Sequence, residues 1–137
     1  MEILHHNRNT ERMTQDRVIR LFKEKLEYEY FGSWHTRPNN SNIAEEYLTR
    51  FLSKQGHSKE MISRTLDLLS QTIHQFDKKL YQRNKEFYSK LRYGVVTKIE
   101  AGMQNETIAL IDWKHPENNH FAIAEEVTIE ERQKNLP

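Results

Sequence analysis

Apolar residues recur at helical spacing through the first three-fifths of the chain, and from Tyr93 the recurrence changes to alternation. Thr14 is placed to cap a helix carrying Val18, Ile19, Phe22 and Leu26, with the charges of "TQDRVIRLFKEKL" on its remaining faces. An aromatic run from Tyr28 to Trp34 follows, and then "HTRPNNSN", a loop rich in turn formers. Asn42 with Glu45 three positions on is a capping-box pattern. Behind it Ile43, Tyr47, Leu48, Phe51 and Leu52 form the stripe of a second helix, which Gly56 is positioned to stop. Ser58 opens a longer third helix with the stripe Met61, Ile62, Thr65, Leu66, Leu69, Ile73, Phe76 and Leu80. A short fourth starts at Asn84, carries Phe87, Tyr88 and Leu91, and closes at Gly94.

The alternating part begins with "YGVVTKIEAG", which sets Val95, Thr97 and Ile99 against Val96, Lys98 and Glu100. A turn over Gly102 to Asn105 leads into "ETIALIDW", where Ile108, Leu110 and Asp112 alternate with Ala109, Ile111 and Trp113. After "KHPENNH", Phe121, Ile123, Val127 and Ile129 share one side of a third run. Three runs joined by short polar turns predict an antiparallel meander whose apolar face the preceding helices cover, an α+β arrangement. The third run would end the sheet as an exposed edge. Either the charges of Glu125, Glu126, Glu130 and Glu131 blunt that edge, or a further strand follows beyond Pro137.

With 137 residues there is material for a single domain, and residues 1–13, ahead of Thr14, are expected to be flexible. The hydrophobic fraction of 36% is enough for a core despite a charged fraction of 30%. Twenty-one basic residues nearly cancel 20 acidic ones, so net charge identifies no partner and only a local patch would. The absence of cysteine excludes a disulfide scaffold or a cysteine zinc site and is compatible with the cytoplasm. No apolar run has the length of a membrane span, so no membrane partner is expected.

Glu100, Asp112 and Lys114 are the sharpest chemical pattern: an acid on one strand, then acid-x-lysine across a hairpin. Metal-dependent nucleases of the PD-(D/E)xK class use that order, with two carboxylates for Mg²⁺ and a lysine for the attacking water. The same three residues are also what strand ends and turns ordinarily carry. The seven histidines show no HExxH, although His115 and His120 flank the Pro116 turn near Asp112. There is no phosphate-binding glycine loop and no nucleophile elbow. The window "KKLYQRNKEFYSKLRYG" sets Lys78, Lys79, Arg83, Lys85, Lys90 and Arg92 against one acid, Glu86, and is a candidate DNA-binding face.

Three stretches together carry a family resemblance: "TQDRVIRLFKEKLEYEYFGSWHTRPNNSNIAEEYLTRFL", "LYQRNKEFYSKLRYGV" and "ALIDWKHPENNHFAIAEEVTI". They resemble the amino-terminal region of the R subunit of type I restriction-modification enzymes. The most specific parts are Asn40-Ser41-Asn42, Leu91-Arg92-Tyr93-Gly94, and Ile111-Asp112-Trp113 followed by Pro116-Glu117-Asn118-Asn119.

The resemblance implies the front portion of a PD-(D/E)xK nuclease domain in a longer protein that continues into an ATP-driven motor. It implies Mg²⁺ and ATP as cofactors of that longer protein, with double-stranded DNA and the methyltransferase and specificity subunits as partners. It also places the family's Pro-Asp and Glu-x-Lys after the strand similar to Phe121–Ile129, hence beyond Pro137. Asp112-Trp113-Lys114 then becomes a structural look-alike, and the 137 residues alone are expected to be inactive. The helix "IAEEYLTRFLSKQG" is similar to one that supplies an accessory carboxylate, and Glu46 takes that position, with Glu45 the capping partner. Two other readings stay open: a non-catalytic module docking DNA or subunits through the Lys78–Arg92 face, and a small nuclease built on Glu100, Asp112 and Lys114.

Overall fold

Helix formation starts well before Thr14. In the computed structural model, which describes residues 2–98 and 104–129, α1 runs Glu2–Arg20 and continues as a π-helical turn over Leu21–Lys25. The remaining elements are β1 (Glu29–Ser33), α2 (Glu45–Lys54), α3 (Lys59–Ile73), α4 (Leu80–Tyr93), β2 (Val95–Thr97), β3 (Glu106–Ile108) and β4 (Ala122–Glu125). A single 3₁₀ turn covers Pro116–Asn118. The chain is thus mixed helix and strand, compatible with the α+β expectation. It divides into two compact units: residues 1–42 with 121–137, and residues 43–120.

In the first unit Thr14 is no cap. Its hydroxyl bonds back to the Thr10 carbonyl at 3.0 Å, as a threonine inside a helix does. No proline or glycine interrupts the residues before it, and Arg12 pairs with Asp16 one turn on at 3.2 Å. The π-helical turn ends with Tyr28 edge-on to Phe22, their centroids 4.9 Å apart. The aromatic run then forms β1, which pairs in parallel with β4. Register shifts between Tyr30 and Ser33, where Gly32 has φ +83°, so the glycine accommodates a bulge. The loop after β1 is organised by the buried Asn40, whose amide donates to the Trp34 carbonyl at 2.8 Å and whose oxygen accepts from Arg37 at 3.0 Å.

The second unit is built on α3. Ser58 caps it as expected, accepting from the Met61 amide at 3.2 Å. Ahead of α3, Gly56 (φ +92°) ends α2 in a Schellman turn: its amide bonds to the Ser53 carbonyl, and the His57 amide to that of Leu52. The capping box at Asn42 does not form; the residue preceding α2 is Ala44, with no side-chain cap. Leu52, Met61, Ile62 and Ile108 make one buried cluster, and Leu69, Val95 and Leu110 another, flanked by Phe87 and Leu91 of α4. Between α3 and β2 the buried hydroxyls of Thr65 and Thr97 meet at 3.1 Å.

The expected third helix is shorter and the fourth longer than the periodicity indicates. α3 stops at Ile73, where the His74 ring donates to the Ser70 carbonyl at 2.7 Å and Arg83 to the Ile73 carbonyl at 3.3 Å. The Arg83 bond satisfies a carbonyl that the helix end leaves open, and the ring bond adds to the His74 amide already on Ser70. Phe76 and Leu80 therefore fall outside the stripe and are exposed, and α4 begins at Leu80 rather than Asn84.

Only part of the meander is present. β2 and β3 pair antiparallel, Val95 opposite Ile108, with Val95 and Thr97 inward as their alternation predicts. The strand expected to reach Trp113 ends at Ile108, although Leu110 is still buried. The third run pairs with β1 instead of β3. It stops at Glu125 because Glu126 adopts φ +51°, which ends the alternation, and Phe121, Val127 and Ile129 stay 44–47% exposed. Ile99, Glu100, Gly102, Glu130 and Glu131 lie outside the described residues. No helix of the described residues is long and apolar enough to cross a membrane.

Candidate functional site

Asp112 sits where the chain leaves β3 and folds over the Pro116 turn. One carboxylate oxygen accepts from the His115 amide at 2.9 Å and the other from the Asn118 side chain at 3.0 Å. Asn119 closes the loop in both directions, accepting from the Asp112 amide at 2.8 Å and donating to the Asp112 carbonyl at 2.9 Å. The hydrogen bond from Asn118, and next that from the His115 amide, hold the Asp112 carboxyl below the ordinary aspartate range. Asp112, Pro116, Asn118 and Asn119 thus form one closed turn, which accounts for their spacing. Each oxygen thus accepts a hydrogen bond within the turn, which gives Asp112 a structural role. Lys114 is exposed, and Glu100, the third member of the pattern, lies outside the described residues.

Trp113 does not pack inward. It is half exposed, and the Arg92 guanidinium lies over its ring, 4.8 Å from the centroid.

The six basic residues of the Lys78–Gly94 window do not act alike. Lys78 is bonded to Glu86 at 2.8 Å, and Arg83 caps α3 while lying over the Phe76 ring. Lys79 and Lys85 are exposed, Lys90 is half-buried, and Arg92 is exposed beside Trp113 and Tyr93. Lys85 and Arg92, seven positions apart, share one face of α4, whereas Lys90 lies about 140° around the helix from Lys85 and Lys79 precedes the helix.

Glu46 stands in the first turn of α2 next to Glu45, and both side chains are exposed. Among the described residues no group of three or more His, Cys, Asp or Glu could hold a metal ion. His115 approaches Glu117 at 3.7 Å, and His120 lies by the Tyr47 ring. A shallow hollow on α1, lined by Thr10, Glu11, Thr14 and Gln15, contains none of the candidate residues.

One acid has a role the sequence does not disclose. Glu125 at the end of β4 is 8% exposed and accepts from the Tyr30 hydroxyl at 2.5 Å and from Arg12 at 3.0 Å. The Tyr30 bond, ahead of the Arg12 contacts, holds the Glu125 carboxyl below its usual range, and the Tyr30 phenol is raised in turn. Glu125 is thus a clasp joining α1, β1 and β4 within the first unit, not an edge charge. A signal for it would have been an acid replacing an apolar residue in a short strand, which the three neighbouring glutamates, Glu126, Glu130 and Glu131, obscured.

A family model described as type I restriction enzyme R protein N terminus matches residues 8–137. No curated protein and no solved structure matches the chain.

Proposed function

Because the chain belongs to the type I restriction enzyme R protein N-terminal family, we propose that it forms the front portion of that protein's nuclease domain, of PD-(D/E)xK type. The observation that carries this reading is the match over residues 8–137, nearly the whole chain. The principal acids and the lysine of DNA hydrolysis then lie outside these 137 residues. Asp112 is consistent with this: each of its oxygens accepts a hydrogen bond in the turn it closes, so the acid has a structural role there. Glu46, exposed on the first turn of α2, contributes an accessory carboxylate, a role distinct from that of Glu45 about 100° around the helix.

In this reading the longer protein is cytoplasmic, acts on double-stranded DNA with the methyltransferase and specificity subunits, and uses Mg²⁺ and ATP. The 137 residues alone do not hydrolyse DNA, since one accessory carboxylate cannot both hold a metal and activate water. Reading the gene past the Pro137 codon tests the proposal. Pro-Asp followed by a strand ending in Glu-x-Lys is the expected continuation. A stop codon there, or metal-dependent nicking of a plasmid by the 137-residue chain, would overturn it.

A further inference from the structure

The outward face of α4 has a composition that nuclease chemistry does not require. Tyr81, Lys85, Tyr88 and Arg92 fall at i, i+4, i+7 and i+11, one stripe along the helix. The helix buries a different side, where Phe87 and Leu91 pack against Leu69, Val95 and Leu110. Tyr81 is 78% and Tyr88 64% exposed, and Trp113, 52% exposed, extends the aromatic surface across Arg92. The only acid of α4, Glu86, is off the stripe and bonded to Lys78.

A solvated helix face carries mixed charges and few rings; this one carries rings and cations without an acid. Cations select an anionic partner, and exposed rings gain from a partner with flat π-faces. A duplex hides its base faces in the stack. Unpaired nucleotides present both a phosphate backbone and open base faces. We infer that the Tyr81–Lys85–Tyr88–Arg92 stripe, with Trp113, binds single-stranded DNA, the tyrosines stacking on bases and Lys85 and Arg92 meeting phosphates. The tyrosines stand two turns apart, roughly 10–11 Å along the axis. That is about three nucleotides at ~3.4 Å each.

The choice of DNA over other polyanions rests on the nuclease-domain reading; the stripe itself does not. The test measures binding of the 137-residue chain to a labelled oligothymidylate and to a duplex of equal length, by fluorescence anisotropy. The single strand should bind more tightly. Tyr81→Ala and Tyr88→Ala should each weaken it at least about five-fold, the lower end of a base–aromatic stack. Tyr81→Phe and Tyr88→Phe should retain binding, because stacking uses the ring and not the hydroxyl. Lys85→Gln should reduce the salt slope by about 0.7, one single-strand phosphate contact.

Binding should also quench a Trp113 signal that is missing in Trp113→Phe. Equal or tighter duplex binding, or affinity indifferent to both Tyr→Ala changes, would overturn the inference. So would concentration-dependent self-association abolished by Tyr81→Ala, which would assign the stripe to a protein contact. None of these readouts involves cleavage, so failure of the catalytic reading and failure of this one are separable.

Discussion

Gly94 ends α4 and starts β2, and its replacement by alanine offers the sharpest test of how the second unit is built. Its backbone is at φ +93°, ψ 173°, a region open to glycine and strained for any residue with a Cβ. That strain is worth ~1–3 kcal/mol. A Cβ there would also lie 2.9 Å from the Ile108 carbonyl oxygen and 2.9 Å from the Thr107 methyl. The first contact is backbone of the paired strand, so relief requires moving β3 away from β2. Overpacking of that kind costs a further ~1–3 kcal/mol.

Gly94→Ala should therefore destabilise by ~2–6 kcal/mol, a large part of what a small domain possesses. Gly56 is the internal control. It has a similar φ, +92°, but nothing within 4 Å of a built Cβ, so Gly56→Ala should cost only the conformational strain, ~1–2 kcal/mol. Urea denaturation followed by circular dichroism measures both. If Gly94→Ala costs no more than Gly56→Ala, the close approach of β3 is not tight and the reasoning fails.

Three other outcomes are expected. The Asp112 carboxyl lies below its unfolded value, so its contribution is present above about pH 4, the ordinary aspartate range, and is lost as pH falls through the lower folded value. The stability gap between the protein and Asp112→Asn should close on that descent, and a gap constant from about pH 6 to about pH 2 would refute the assignment. Thr65→Val or Thr97→Val alone should cost ~0.5–1.5 kcal/mol through loss of the shared bond, since each remaining hydroxyl keeps a backbone carbonyl (Met61 or Val95) as acceptor, with the double variant costing less than the sum. Strict additivity in a denaturation cycle would rule out that coupling. On the proposed function, Lys114→Ala in the full R protein should leave Mg²⁺-dependent DNA cleavage within about two-fold of the parent, while loss of a thousand-fold or so would restore Lys114 as a catalytic candidate.

Elements whose signal is local could be read directly from the residue order. The stripe of α3 and its Ser58 cap, the stop at Gly56, the close at Gly94 and the inward Val95 and Thr97 all follow from periodicity or backbone permissiveness within a few residues. The family was legible for the same reason, as short motifs such as "NSN", "LRYG" and "DW…PENN" survive in the linear text. What required the tertiary structure were decisions between distant residues. The pairing of β4 with β1 joins segments some ninety positions apart, and the bulge at Gly32 masks β1 in a periodicity search. That Asn118 and Asn119 close a turn on Asp112 is visible only in the folded chain. Glu125 looks like a surface charge until Tyr30 and Arg12 reach it. A carboxylate's role is set by which donors surround it, and only the folded chain brings those donors within hydrogen-bonding distance.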